Sequence, residues 1–142
     1  MISPEQVEQC ADAGASFIVS PGFDPEVVER ALSLGMAVLP GIATATELQR
    51  ATRAGVDVIK FFPADRLGGL GTIEALAAPF PGSRFVPSGG VNAANAREYL
   101  AHPSIWAVSG SWMVRRDWIA SADFPAVREA SALAVQSIAA SS

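Results

Sequence analysis

Short apolar runs alternate along the chain with stretches in which apolar positions recur at helical spacing. The runs are Phe17-Ile18-Val19-Ser20, Ala37-Val38-Leu39, Val58 to Phe62, Arg84-Phe85-Val86 and Trp106-Ala107-Val108. Each is continuous rather than alternating, the pattern of parallel strands. Between them the spacing predicts helices over 4–13, Pro25 to Leu34, Ala45 to Ala54, Thr72 to Ala78, Ala93 to Ala101 and within Phe124 to Ala139. Ser3, Asp24 and Thr44 suit N-caps, and Gly14, Gly35 and Gly55 suit stops. Strict strand–helix alternation predicts an α/β fold on a parallel sheet with right-handed crossovers. Four strands run into Pro21, Pro40, Pro63 and Pro87, and the fifth into Ser109-Gly110-Ser111. In such folds the loops after the strands hold ligands, so the chemistry belongs near those breaks.

Composition narrows the picture. With 142 residues, 50% of them hydrophobic and 17% charged, the chain has apolar material for one domain and none of the marks of disorder. Its formal net charge of −4 argues against a nucleic-acid or anionic-membrane partner. No apolar run approaches the roughly 18 residues of a membrane span. The opening Met1-Ile2-Ser3-Pro4-Glu5-Gln6 lacks the features of an export signal, so a cytoplasmic protein is expected. One cysteine, Cys10, permits no internal disulfide, and one histidine with one cysteine cannot supply the usual zinc set.

The ten basic residues include a single lysine, Lys60, set within Val58-Ile59-Lys60-Phe61-Phe62-Pro63. An ammonium among Val, Ile and Phe loses hydration, which lowers its pKa toward what an imine-forming amine needs. The alternative is a lysine whose stem lies on the sheet while its head reaches water.

Lys60-Phe61-Phe62-Pro63-Ala64 resembles the Schiff-base motif of the bacterial 2-keto-3-deoxy-6-phosphogluconate and 4-hydroxy-2-oxoglutarate aldolases. Ile18-Val19-Ser20-Pro21-Gly22, Pro40-Gly41-Ile42-Ala43-Thr44, Pro87-Ser88-Gly89-Gly90-Val91 and Gly110-Ser111-Trp112 fall in that family's order and spacing across essentially the whole chain. The resemblance implies a class I aldolase on a (β/α)8 barrel, trimeric, with no metal and no cofactor. Lys60 would attack the C2 ketone of a 2-keto acid, and cleavage between C3 and C4 would leave the enamine of pyruvate. It also implies phosphate contacts at Gly89, Gly90 and Ser111, a hydroxyl contact from Ser88 where the family often has Thr, and a pocket lined by Pro21 and Pro40. The two glycine-bearing turns suit an anion independently, because their N–H groups can approach it and a following helix would add its dipole.

Other residues read as structural. Glu47 fits a capping pattern, Asp65 a cap or loop contact, His102 a loop position and Arg115 with Arg116 a solvated face. Trp106, Trp112 and Trp118 suit packing or a subunit contact. The motifs present correspond to strands four to eight of the family barrel. The expected fold is therefore an incomplete TIM (β/α)8 barrel of about five parallel strands, with residues 1–142 as one partial domain. The family's proton-transfer glutamate, its carboxylate-binding arginine and a threonine would lie ahead of Met1. The chain alone is thus expected to have little turnover, and its open sheet to favour association. The competing readings are a non-catalytic phosphate- or keto-acid-binding half barrel and a truncated remnant.

Overall fold

Residues 1–139 are described by the computed structural model. Every strand pairing in it is parallel. Strand β1 (Phe17–Val19) pairs with β2 (Ala37–Leu39), and β3 (Gly41–Ile42) pairs with β4 (Val58–Phe61), which pairs with β5 (Arg84–Pro87). Neighbours in the sheets therefore follow chain order, with no reversal of the kind that makes the crevice of a doubly wound sheet. The β2 and β3 segments are one line of chain interrupted at Pro40, which has no N–H to give a ladder. The Pro40 carbonyl still accepts the Lys60 N–H at 2.9 Å, so the line continues to pair with β4.

Two of the expected strand assignments change. Gly41–Ile42, expected as a strand-ending turn, is a strand of its own. Trp106-Ala107-Val108 is not a regular strand. Its flanking residues Ile105 and Ser109 form isolated bridges to Phe85 of β5 and to Ser88 just beyond it. Paired along one side alone, it lacks the second ladder that would regularise it.

Helices α1 (Pro4–Asp12), α2 (Pro25–Ser33) and α3 (Ala45–Arg53) form where the caps predict. Ser3 Oγ accepts the Gln6 N–H at 3.4 Å, and Asp24 Oδ1 accepts those of Glu26 and Val27 at 2.9 and 3.3 Å. Glu47, as read from the sequence, closes a reciprocal capping box with Thr44. A single 3₁₀ turn (Asp65–Leu67), absent from the sequence reading, leads into α4 (Gly69–Ala77), which starts three residues early. Helix α5 spans only Ala96–Leu100, because Asn92 and Asn95 hold the preceding turn instead of propagating a helix. Asn95 Oδ1 accepts the Asn92 N–H at 2.8 Å, and Asn92 Oδ1 accepts the Ala94 N–H at 2.9 Å. A short α6 (Arg116–Ala120), also unforeseen, precedes α7 (Phe124–Ala139).

Side chains alternate across each strand, and the helices cover one face. Ile59, Phe61, Phe85 and Ile105 join Leu48, Ala51 and Ile73 in the main core, while Ile18 packs with Val7, Val27 and Ala31 in a second cluster. Val38 packs against both clusters. The other face is open. Phe17 is 61% and Trp106 58% exposed there, and a 520 Å³ groove runs past Leu39, Val58 and Arg84. Trp106 therefore does not pack into the core of this chain, which leaves the subunit contact as its other reading.

The capping box gives a direct check on how α3 is anchored beside the sheet. Thr44→Ala removes the acceptor of the Glu47 N–H and is expected to cost about 1 kcal/mol. Chemical denaturation checks this as a lower midpoint at unchanged slope, with Thr44→Ser restoring most of the loss.

Candidate active site

Alternation along β4 puts Lys60 on the open face, opposite Ile59 and Phe61, which point into the core. Its register partners are Gly41 in β3 and Val86 in β5, so apolar backbone and an isopropyl group flank the stem. The side chain is half-buried, and Nζ lies 4.7 Å from the centroid of the Phe62 ring. Among the described residues no carboxylate, imidazole or hydroxyl hydrogen-bonds or pairs with that nitrogen. Burial pushes the Lys60 amine below its ordinary value of 10.5, and desolvation is the sole cause. A nearby carboxylate would have acted in the opposite direction.

Phe62 links the amine to the glycine turns. It forms part of the wall of a 310 Å³ cleft together with Ser88, Gly89, Gly90, Val91, Ser109, Gly110 and Ser111. A Cβ built at Gly89 would sit 3.4 Å from two carbons of the Phe62 ring. Strand-end hydrogen bonds fix the turn against the lysine strand. Ser88 N–H donates to the Phe61 carbonyl at 3.0 Å, Ala64 N–H to Ser88 at 2.8 Å and Asp65 N–H to Gly89 at 3.0 Å. The intervening Phe62–Pro63 peptide is cis. Gly90 has φ +87°, and a Cβ there would collide with the Asp65 side chain, so only glycine fits. Asp65 is thus a packing contact behind the turn.

The backbone N–H groups of Gly89, Gly90, Gly110 and Ser111 make no hydrogen bond among the described residues. Four free donors on two adjacent turns are suited to an anion. The expected helix dipole is not supplied, because α5 begins six residues beyond Gly90 and is five residues long. The donors on the turns must bind without it.

Of the residues predicted from sequence, Ser88, Gly89, Gly90 and Ser111 come together in the cleft. Lys60 adjoins it through Phe62 rather than lining it. The two prolines do not reach the cleft. Pro40 is fully buried, and Pro21 is exposed with its carbonyl packed so tightly on Gly41 that a Cβ there would clash. Ser109 and Gly110, part of the second glycine-bearing turn read from the sequence, join the cleft, and Phe62 is the lining residue to which the sequence reading assigns no site role. His102 keeps its loop role, with Nδ1 accepting the Ser104 N–H at 3.2 Å and Nε2 3.5 Å from Glu74. Among the described residues no cluster of His, Cys, Asp and Glu is able to hold a metal, and no helix is long and apolar enough to cross a membrane.

Comparison with known proteins agrees with this arrangement. The family model described as KDPG and KHG aldolase matches residues 1–130. The 2-dehydro-3-deoxy-phosphogluconate aldolase of Treponema pallidum is 50% identical over 127 residues, covering 89% of this chain and 60% of that protein. The structure of the KDPG aldolase from Legionella pneumophila, with pyruvate captured as a covalent carbinolamine, superposes with a TM-score of 0.88 at 33% identity, covering 99% of this chain and 66% of that one. That of Zymomonas mobilis ZM4 with 3-phosphoglycerate superposes with a TM-score of 0.85 at 35% identity, over 97% and 63%. This chain thus spans 60 to 66% of the length of these three relatives. On its parallel α/β fold and on a family match running through the lysine strand and both glycine turns, the chain belongs to the KDPG and KHG aldolase family.

Proposed function

We propose that this chain carries the nucleophile and the phosphate-binding edge of a Schiff-base aldolase. Its substrates are 2-keto-3-deoxy-6-phosphogluconate, cleaved to pyruvate and glyceraldehyde 3-phosphate, and 4-hydroxy-2-oxoglutarate, cleaved to pyruvate and glyoxylate. The observation that carries the reading is Lys60 itself: a half-buried amine without a counter-ion, on the open face of the sheet, one aromatic ring away from a cleft with free backbone donors.

In this reading the neutral Lys60 amine adds to the C2 ketone to give a carbinolamine, which takes up a proton and loses water to become an iminium. The C4 hydroxyl gives its proton to a base as the C3–C4 bond breaks. The bonding pair flows into the iminium, so the aldehyde leaves and an enamine of pyruvate remains. Protonation at C3 and hydrolysis then release pyruvate and return the free amine. The Gly89, Gly90 and Ser111 donors hold the terminal phosphate and Ser88 offers its hydroxyl to the substrate. Pro21 and Pro40 shape the approach from the neighbouring strand ends. Pro40 does so from beneath, by fixing the Lys60 backbone. No metal or cofactor enters, since the iminium is the electron sink.

The base is not among the groups around Lys60, which are backbone, Val86 and Phe62. It comes from the part of the fold that the relatives have beyond the stretch this chain matches. Residues 1–142 then stand as one partial (β/α)8 barrel domain at the places of strands four to eight, a reading supported by the unreversed strand order. The setting is cytoplasmic. The assembly is a homo-oligomer, trimeric by family resemblance, and exposed Ile119, Phe124, Leu133 and Val135 on α6 and α7 favour contact with another copy.

Two measurements test the lysine. Pyruvate followed by borohydride is expected to leave a stable adduct on Lys60, located by mass spectrometry, and Lys60→Met to abolish it. With one lysine in the sequence, the Met1 amine is the internal control. An adduct only on Met1 sinks the reading. The second is a pH dependence of stability. The folded pKa is lowered, so between it and 10.5 the unfolded chain holds the extra proton, and stability rises with pH across that window. Below the window both states are charged and the desolvation cost is fully felt. Lys60→Met is therefore expected to raise the melting temperature at neutral pH, by an amount that shrinks as pH climbs toward 10.5.

A further inference from the structure

The cleft proposed for phosphate has no cationic side chain in its wall. A phosphate monoester carries about −1.5 to −2 charges at neutral pH. Free N–H donors offer only dipoles to such an anion, the short helices add little, and the chain as a whole is negative. A compensating charge is needed close by.

The cleft shares Ser111 with a second groove of 650 Å³, lined also by Trp112, Val114, Arg115, Arg116 and Asp117. Its two arginines differ sharply. Arg115 is committed: Nε and Nη2 donate to the two Asp117 carboxylate oxygens at 3.0 and 2.7 Å, and its guanidinium stacks 5.1 Å from the Trp118 ring. Asp117 is thereby neutralised within the groove. The guanidinium of Arg116, exposed at the start of α6, has no ion pair or hydrogen bond among the described residues. The Asp65 side chain packs behind Gly90.

We propose that Arg116 is the specificity residue for the phosphate end of the substrate, its uncommitted guanidinium closing from the Ser111 side over an anion seated on the two glycine turns. The inference deepens the aldolase reading and rests on it. It assigns the neighbouring Arg115–Asp117 pair a supporting part, since with Arg115 holding Asp117 the carboxylate cannot capture Arg116 instead. The residue would favour keto acids ending in phosphate over those ending in a single negative charge, because the attraction scales with the charge of the ligand.

Titration of the isotopically labelled chain with inorganic phosphate, followed by amide NMR at Gly89, Gly90, Gly110 and Ser111, tests this. Measured about two pH units above the second phosphate pKa of about 6, the wild-type chain is expected to show saturable shifts at all four amides. Arg116→Ala should weaken binding about 5-fold and Arg116→Glu more, as expected for one partly screened charge, with the difference collapsing near 1 M salt. Arg115→Ala should weaken it too, since it frees Asp117, while Arg115→Ala with Asp117→Ala in the same chain should return to the wild-type value. Equal binding by wild type and Arg116→Ala overturns the role of Arg116 and leaves the glycine-turn site standing. Absence of shifts at the turns in the wild-type chain overturns that site, and the inference with it. Shifts confined to the α6 groove mean an adventitious ion only, which also overturns the inference.

Discussion

A half-buried amine with no counter-ion among the described residues is the constraint on which the rest of this molecule turns. Desolvation alone lowers the Lys60 pKa, and what desolvates it is the register of three parallel segments. Gly41 on one side and Val86 on the other offer neither charge nor hydroxyl. A carboxylate within pairing distance would stabilise the ammonium and remove the nucleophile. The ring of Phe62 offers the protonated form a quadrupole contact that acts against the downward pKa shift. The same residue thus touches the amine on one side and forms one wall of the cleft on the other.

Position matters as much as chemistry, and it is set by hydrogen bonds at the strand ends rather than by the ladder proper. Beyond Phe61 and Pro87 the two chains continue to pair through Ser88, Ala64, Gly89 and Asp65, which ties the Ser-Gly-Gly turn to the residues just after the lysine. The Asp65 side chain then fills the space that a Cβ on Gly90 would need, so the turn has one conformation and leaves its N–H groups unspent. These donors face no competition from a helix. The Asn92–Asn95 turn delays α5, and the Gly90 carbonyl is capped by both asparagine side-chain amides at 3.1 Å.

Much of this was legible in the chain, and the failures share a cause. Caps at Ser3, Asp24 and Thr44 are local interactions between neighbours in sequence, so they read directly. The strand at 58–61 reads because its apolar run is packed on the helix side and paired on both edges. Gly41–Ile42 was hidden because a proline ordinarily ends a strand. Here Pro40 interrupts the ladder by one residue while its carbonyl maintains it. Trp106 to Val108 carries strand composition, yet strand geometry needs partners, and only β5 lies beside it. The grouping of Ser88, Gly89, Gly90 and Ser111 was readable from motifs after successive strands, whereas the mediating place of Phe62 depends on the path of the chain after the lysine. The split between Arg115 and Arg116 was beyond any reading of two adjacent identical residues, because it arises from which of them reaches Asp117.

The open face of the sheet is asked to do two opposed things. Near the strand ends the proposed reaction would need it to admit a charged substrate to Lys60 and the glycine turns, so covering it there would close the proposed site. Farther down, Phe17, Val58 and Trp106 line a groove that exposes apolar surface to water, a cost that grows with the area left uncovered. Burial by more polypeptide at the lower end relieves that cost without closing the upper end, since the two regions are separated along the strands by about the rise of two residues, some 7 Å. The same covering chain would bring its side chains within reach of the amine from the side that is now bare, the side from which the proposed reaction would draw its base. On the proposed aldolase reading one segment packed on this face would meet both needs, covering the groove and carrying the proton-transfer carboxylate that the family resemblance implies. A face that merely bound phosphate would need only the first of these.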